Sequence, residues 1–308
     1  MPSELRKDYL LNKYVIITPS RSRRPRDISE ETVLRRNAPC VFCPDAIKQN
    51  QIIDRIGAAT KWQVLSLPNN YPAVTLTNKK AYGAQEVIID TRRHGVELGE
   101  LSESEILAVL TMYQWRTAAL SKSASGGKNL DYILVFKNNG SKAGASIAHA
   151  HSQVFAANII PPDMQEEITA SIHYQAKHQR NAYADIIAKE IKSPRKIYAD
   201  KLIAAFCPYA SQFHYEAWIF PRRLVDNITE LTQPELKALA KMLKKILGKL
   251  HRLNLSYNFF MHQVISNPNQ YFYLKIQPRD SIWAGVELGS GIVINSVAPE
   301  SAAKYYRQ

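Results

Sequence analysis

The feature that most constrains this chain is that much of it is written twice. The segment Glu86-Val87-Ile88-Ile89-Asp90-Thr91-Arg92-Arg93 recurs 130 residues later as Glu216-Ala217-Trp218-Ile219-Phe220-Pro221-Arg222-Arg223. Each has the apolar alternation of a strand. Each leads through a short loop to Glu100-Leu101-Ser102 or Glu230-Leu231-Thr232. Ser102 then stands three residues before Glu105, and Thr232 three before Glu235. At this capping-box spacing, hydroxyl and carboxylate satisfy otherwise orphaned backbone N–H groups, so each site predicts a helix start. The second predicted helix places Leu236, Leu239, Ala240, Leu243, Ile246, Leu247 and Leu250 on one face. The first is less regular, with Ile106, Val109, Leu110 and Tyr113. A strand follows each helix, at 131–136 and 256–261. After a further loop comes a last strand, His149-Ala150-His151-Ser152-Gln153-Val154 or Tyr271-Phe272-Tyr273-Leu274-Lys275-Ile276.

The repeat is therefore strand, helix, strand, loop, strand, and its second copy lacks the histidines. A helical run from roughly Asp163 to Lys192 joins the copies and ends before Pro194. This predicts an α+β fold of two tandem halves, residues 1–162 and 163–308. Each half is an antiparallel sheet with a helix packed on it, and the halves pack together.

Bulk properties narrow the class. Hydrophobic residues make up 45% and charged residues 22%, which suits a buried core. No stretch approaches the ~20 apolar residues of a membrane helix. The N-terminus lacks the apolar segment of a secretory signal. A soluble, cytoplasmic protein with no membrane partner is expected. The net charge of +13 invites a nucleic-acid reading. Much of it, however, lies at Lys237, Lys241, Lys244, Lys245 and Lys249, opposite the apolar stripe of the second helix. It reads as a solvated face, and a nucleic-acid partner is not expected. Three cysteines argue against a disulfide framework. Cys40 and Cys43 form a C-x-x-C pair that suits a metal or a redox couple. Cys207 reads as a small packing residue.

On a strand, residues two apart share a face, so His149, His151 and Gln153 are expected to project together. The preceding loop, 138–146, contains Gly140 and Gly144 with hydroxyls and a cation, all suited to a phosphate. A neutral imidazole can attack phosphorus and split a transfer into two easier steps. Metal ligation by both histidines is the competing reading.

The string Gly144-Ala145-Ser146-Ile147-Ala148-His149-Ala150-His151-Ser152-Gln153 resembles the active-site signature of the galactose-1-phosphate uridylyltransferase family, in the histidine-triad superfamily. The segments 4–8, 21–25, 69–73 and 283–289 are similar to other parts of that family, so the resemblance covers nearly the whole chain. It implies two histidine-triad-like halves, in agreement with the repeat. It implies that His151 takes UMP from UDP-glucose and passes it to a hexose 1-phosphate by a ping-pong route. Gln153, Ser146 and Asn138 would assist at the phosphoryl group, with Gly144 in the loop. Arg21 and Arg24 would meet phosphate charge, where a guanidinium fork suits the geometry. Asn69, Asn70 and Tyr71 would contact the nucleotide, and Glu287 the hexose. An ADP-glucose phosphorylase or adenylyltransferase using the same histidine is the alternative. A nucleotide-binding protein that has lost catalysis is a rival from another class.

The resemblance also implies a structural zinc held by Cys40, Cys43, His94 and His149, and a homodimer. The rival reading of the cysteines is a reduced pair without metal. Some relatives hold a second metal with histidines in the C-terminal half. Here Tyr271 and Tyr273 stand in those places and only His262 remains, so a second site is not expected. His173, His178 and His251 read as surface residues, and Trp62, Trp115 and Trp218 as core. His214 is left open between a loop residue and a substrate contact.

Overall fold

The computed structural model describes residues 2–23, 39–122, 130–265, 267 and 270–308. Strands β1 (Glu4–Lys7), β2 (Tyr14–Ile17), β3 (Asp54–Ala58), β4 (Lys61–Pro68) and β5 (Gly83–Ile89) come first. Helix α1 (Glu103–Lys122) leads to β6 (Tyr132–Asn139) and β7 (His151–Ala157). Helices α2 (Pro162–His178) and α3 (Ala182–Glu190) precede β8 (Lys196–Ala199), β9 (Ile203–Phe206) and β10 (Ala217–Pro221). Then follow α4 (Gln233–Arg252), β11 (Tyr257–His262) and β12 (Tyr273–Pro278). The chain ends with α5 (Gly285–Ser290), β13 (Val293–Asn295) and α6 (Pro299–Arg307).

Ten strands form one antiparallel sheet in the order β3-β4-β5-β7-β6-β11-β12-β10-β9-β8. Outward from the β6–β11 junction the succession is mirrored, β6, β7, β5, β4, β3 against β11, β12, β10, β9, β8. The strands do not form two separate sheets. β6 and β11 pair edge to edge from Phe136↔Phe260 to Asn139↔Tyr257. That pairing satisfies two backbone edges that separate sheets would leave open. A small second sheet has the order β1-β2-β13.

Helices α1 and α4 are each 20 residues long and pack on each other against one face of the large sheet. Both start where the capping boxes predict. Ser102 N donates to Glu105 Oε2 at 2.8 Å, and Thr232 N to Glu235 Oε2 at 2.8 Å. The repeat extends to the preceding arginines: Arg93 pairs with Glu105 at 2.6 Å and Arg223 with Glu235 at 3.0 Å. The whole expected stripe of α4 is buried, as are Ile106, Val109, Leu110 and Tyr113 of α1. Lys237 and Lys241 are exposed, but Lys244 is half-buried and donates to the Leu101 carbonyl. A groove of about 520 Å³ between α4 and β8–β9, lined in part by Tyr198, Met242 and Lys245, shares no lining residue with the His151 strand.

The strands are less faithful to the repeat than the helices. Ile88 packs in the core beneath α1 and α4, whereas Trp218, 130 residues on, packs on the opposite face. Glu86 accordingly receives two 2.7 Å hydrogen bonds from Arg116 of α1. Glu216 instead accepts from the Trp218 indole at 2.8 Å. Strand side chains alternate with period two, so a one-residue slip between copies exchanges the faces.

The helical run between the copies is two helices. Gln179 adopts φ 55° and ends α2, and Asn181 caps α3 by accepting from Tyr183 N and Ala184 N. Trp62 and Trp218 are buried, but Trp115 is 46% exposed, a correction to its placement in the core. Cys207 is buried, and His173, His178 and His251 are exposed. His214 joins Asp280 at 2.8 Å and Ser296 Oγ at 2.9 Å, a tie between C-terminal segments. Among the described residues, no helix is long and apolar enough to cross a membrane.

Candidate functional site

β5 and β7 pair as far as Ile89↔His151, and Asp90 N still donates to the Ala150 carbonyl beyond that. The segments just past the two strand ends are therefore adjacent, which brings His94 and His149 together. Cys40 and Cys43 approach on a turn closed by Cys43 N donating to Cys40 O. The four ligand atoms lie within 4.8 Å of one another. His149 Nδ1 is 3.7 Å from Cys40 Sγ and 3.8 Å from Cys43 Sγ, and His94 Nδ1 is 3.6 Å from Cys43 Sγ. A tetrahedron with metal–S of about 2.3 Å and metal–N of about 2.0 Å has S···N edges of about 3.5 Å. The group therefore fits a metal ion of that size.

The donor set is also prepared chemically. His149 Nε2 lies 2.7 Å from the Thr91 carbonyl, which can only accept, so Nε2 carries the proton. That leaves the Nδ1 lone pair turned to the cysteines, the usual arrangement of a histidine ligand. The ring of Phe42, between the cysteines, lies 5.1 Å from the His151 ring and 6.5 Å from that of His149.

The first residue of β7 is His151, and His149 precedes the strand. His151 Nδ1 is 2.8 Å from the His149 carbonyl. By the same reasoning Nδ1 bears the proton and Nε2 presents a lone pair. Burial pulls the His151 pKa below its ordinary value, against the hydrogen bond to the His149 carbonyl, and the Lys137 charge adds to the fall. The imidazole is thus neutral near pH 7.

A chain of amides fixes Gln153. Ala73 N donates to Gln85 Oε1 at 2.9 Å, which sets the orientation of that amide. Gln85 Nε2 then donates to Gln153 Oε1 at 3.0 Å, and Asn69 Nδ2 reaches the same oxygen at 3.4 Å. Both donors occupy the Gln153 carbonyl, so its NH₂ is left for an acceptor such as a phosphoryl oxygen. Asn69 is itself held by Tyr71 N at 2.8 Å. Asn70 is exposed and Tyr71 is 93% exposed on the same loop. Sequence reasoning missed Gln85. On β5 it is the diagonal neighbour of Gln153, and only the strand pairing reveals that.

The glycine loop forms where β6 leaves β7. Their last pair is Phe136↔Gln153, and β6 continues with β11 alone. Gly140 has φ 80°, and a Cβ there would fall 2.2 Å from Ser256 Oγ. Gly144 has φ 83°. Asn258 Nδ2 donates to both Asn138 Oδ1 and Ala143 O at 2.8 Å, tying the loop to β11. Ser146 is exposed on the segment running to His149.

Arg21 and Glu287 are neighbours. Glu287 accepts from Ala284 N at 2.9 Å and Ile294 N at 3.4 Å, beside the small sheet. Burial opposes its ionisation, but those N–H groups and Arg21 hold its pKa below the usual value. Its carboxylate makes no hydrogen bond to the His151 strand among the described residues. Arg24 lies outside the described residues.

Two buried polar clusters escaped sequence reasoning. Beneath β7, the Lys137 ammonium contacts Asp90 Oδ2 at 3.0 Å and the His151 carbonyl at 3.1 Å. Ser152 Oγ donates to Asp90 Oδ1 at 2.9 Å, and Tyr113 OH in turn bonds Ser152 Oγ. In the second half, Tyr183 OH and Tyr273 OH each donate to Glu167 Oε1 at 2.8 Å, and His262 Nε2 lies 2.9 Å from Glu167 Oε2. Tyr271 and Tyr273, the counterparts of His149 and His151, are fully enclosed there.

Residues 2–161 match the family described as galactose-1-phosphate uridyl transferase, N-terminal domain. An ADP-glucose phosphorylase of Arabidopsis thaliana is 27% identical, over 99% of this chain and 92% of that protein. A galactose-1-phosphate uridylyltransferase of Thermotoga maritima is 26% identical, over 99% and 98% respectively. The crystal structure of the Arabidopsis phosphorylase with bound ADP-glucose superposes with a TM-score of 0.85, covering 100% of this chain and 99% of that one. A uridylyltransferase structure, 27% identical, gives 0.77 over 99% and 97%. With more than half its length matched, the chain belongs to the galactose-1-phosphate uridylyltransferase family.

Proposed function

We propose that this protein is a nucleotidyltransferase that exchanges UMP between UDP-glucose and a hexose 1-phosphate. The observation that carries the reading is the tautomer of His151, whose Nδ1–H is committed to the His149 carbonyl, so that Nε2 is the nucleophile. Nε2 attacks the α-phosphorus of the nucleotide sugar. The bond from that phosphorus to the bridging oxygen breaks, and hexose 1-phosphate leaves with the electron pair. A second sugar phosphate then attacks uridylyl-His151 and restores the free imidazole, a ping-pong sequence. The Gln153 NH₂ donates to a non-bridging oxygen as negative charge builds there. Ser146, Asn138 and Gly144 border the phosphates, Asn69, Asn70 and Tyr71 the nucleoside. Arg21 and Arg24 meet phosphate charge and Glu287 the hexose.

Cys40, Cys43, His94 and His149 would hold zinc. Four protein ligands leave no open position, so the ion's contribution is structural, locking the segment that enters β7. The enzyme works on soluble metabolites of the cytoplasm as a homodimer, a state that the exposed Ile282, Val286 and Leu288 support. The mirrored strand order supports reading 1–162 and 163–308 as the two units of a duplication.

A second reading, ADP-glucose as nucleotide donor, is favoured by the TM-score of 0.85 to the ADP-glucose-bound phosphorylase, against 0.77 to the uridylyltransferase. Separate incubations with UDP-glucose and ADP-glucose, each labelled at the α-phosphate, test both. The expected result is covalent label from UDP-glucose in the wild type and none in His151→Gly, with exchange slowed at least about 10⁴-fold. Label from ADP-glucose alone transfers the assignment to the second reading. Wild-type exchange in His151→Gly would refute the mechanism.

A further inference from the structure

We propose that Lys137 is a positioning residue for the nucleophile, its ammonium clasping the His151 backbone carbonyl at the point where the sheet divides. The inference rests on the proposed role of His151.

Carbonyls along a strand point alternately to its two neighbours. The Ala150 carbonyl accepts from Asp90 N on the β5 side, so that of His151 faces β6. Yet the β6–β7 ladder stops at Phe136↔Gln153, and Asn138, which a continued ladder would set opposite His151, pairs with Asn258 of β11. The division makes room for the glycine loop. It also strips the nucleophile's own carbonyl of its strand partner. Lys137 Nζ takes that place at 3.1 Å.

A buried ammonium is a costly way to satisfy one carbonyl. Lys137 is 1% exposed, and Asp90 at 3.0 Å and Glu97 at 3.3 Å neutralise it. Burial draws its pKa down, but these two acids more than restore it, so the clasp stays charged. Asp90 also holds Ser152 Oγ, and Ser152 is held by Tyr113. The backbone beneath the imidazole is thus gripped at the His151 carbonyl and at the next side chain. The Nδ1 bond to His149 fixes the ring itself. An in-line attack tolerates little displacement: about 1 Å of misplacement can slow a step about 100-fold.

The test compares wild type, Lys137→Met/Asp90→Asn and Lys137→Arg. The double variant removes the ammonium and the Asp90 carboxylate together, leaving the charge of Glu97, whose side chain reaches solvent. Each protein receives α-phosphate-labelled nucleotide sugar in single turnover, with nucleotide-sugar affinity, metal content and melting temperature recorded in parallel. The folded double variant should label His151 at least about 30-fold more slowly, with affinity within about threefold and metal content unchanged. Lys137→Arg, which keeps a charged donor, should recover part of the rate. Wild-type labelling by the folded double variant would overturn the inference, leaving Lys137 as scaffold only. So would failure of that variant to fold, since the pair would then be holding the domain rather than aiming the ring. A wild type that takes no label sinks the proposed reaction and this inference with it. A labelled wild type beside an unimpaired variant sinks the inference alone.

Discussion

The two ends of the ten-stranded sheet share a strand order and a helix-covered face, but their other faces have opposite fates. In the first half that face carries His151, Gln153 and Gln85, with exposed loops around them. In the second it is roofed by α2 and α3. Tyr183, Ile186 and Ile187 of α3 pack on Phe206, Trp218, Phe220, Tyr271 and Tyr273. Phe220 and Tyr273 stack at 4.5 Å. Tyr273 occupies the counterpart of the position of His151, but its hydroxyl is spent on Glu167. Burial, with the Glu167 charge next, drives its pKa well above the ordinary phenol value. The segment that carries α2 and α3 thus covers at one end of the sheet the face that stays open at the other.

Three changes probe that asymmetry. The largest effect is expected from Cys43→Ser, which removes one of four ligands in the first half. Metal affinity should fall at least about 100-fold, and exchange should fall with it. Metal analysis alongside activity reads both, and a metal-free, fully active preparation would refute the zinc assignment.

The second change removes the corresponding anchor of the roofed half. Glu167→Ala leaves His262 and two tyrosine hydroxyls without their acceptor. It should destabilise the fold by about 3–5 kcal/mol without changing the labelling rate of the folded fraction. Acid should act through the same group. Burial works against the Glu167 carboxylate, but His262, Lys275 and the Tyr273 hydroxyl hold its pKa well below the ordinary value. Its stabilisation is therefore complete above the unfolded value of about 4.3 and lost as pH falls below it. Melting curves from pH 7 to 3 should drop more steeply in the wild type than in Glu167→Gln, and equal slopes would discount the cluster. The smallest effect is expected from Gln85→Ala, which frees Gln153 to rotate. About 1 kcal/mol, or roughly fivefold in labelling rate, should be lost with the fold intact. No change in rate would mean that Gln153 is oriented by Asn69 alone.

Features written as local spacing were legible in the sequence. The capping boxes at Ser102 and Thr232 located α1 and α4, because those hydrogen bonds close within one turn. Of the four-ligand group, only the C-x-x-C pair was a local spacing; the full set of Cys40, Cys43, His94 and His149 was what the resemblance to the family implied. Features that depend on pairing across the sheet were not. The slip that turns Trp218 to the opposite face from Ile88 leaves the composition of the strand unchanged. The bond between Gln85 and Gln153 requires knowing that β5 and β7 are neighbours. Lys137 belongs to no motif, and only the end of the β6–β7 ladder sets it beside the His151 carbonyl. The break between α2 and α3 rests on a single left-handed residue, Gln179, whose type does not announce it.

The β6–β11 seam bears on how this chain could be dissected. β6 gives one flank to β7 and the other to β11, so it belongs to both halves. A chain cut at 162–163 would leave the β11-facing edge of β6 bare, an open row of amide and carbonyl groups. A half-length protein could satisfy that edge most directly against another copy of itself, antiparallel as β6 meets β11. In the intact chain that pairing is intramolecular, and its strength no longer depends on protein concentration.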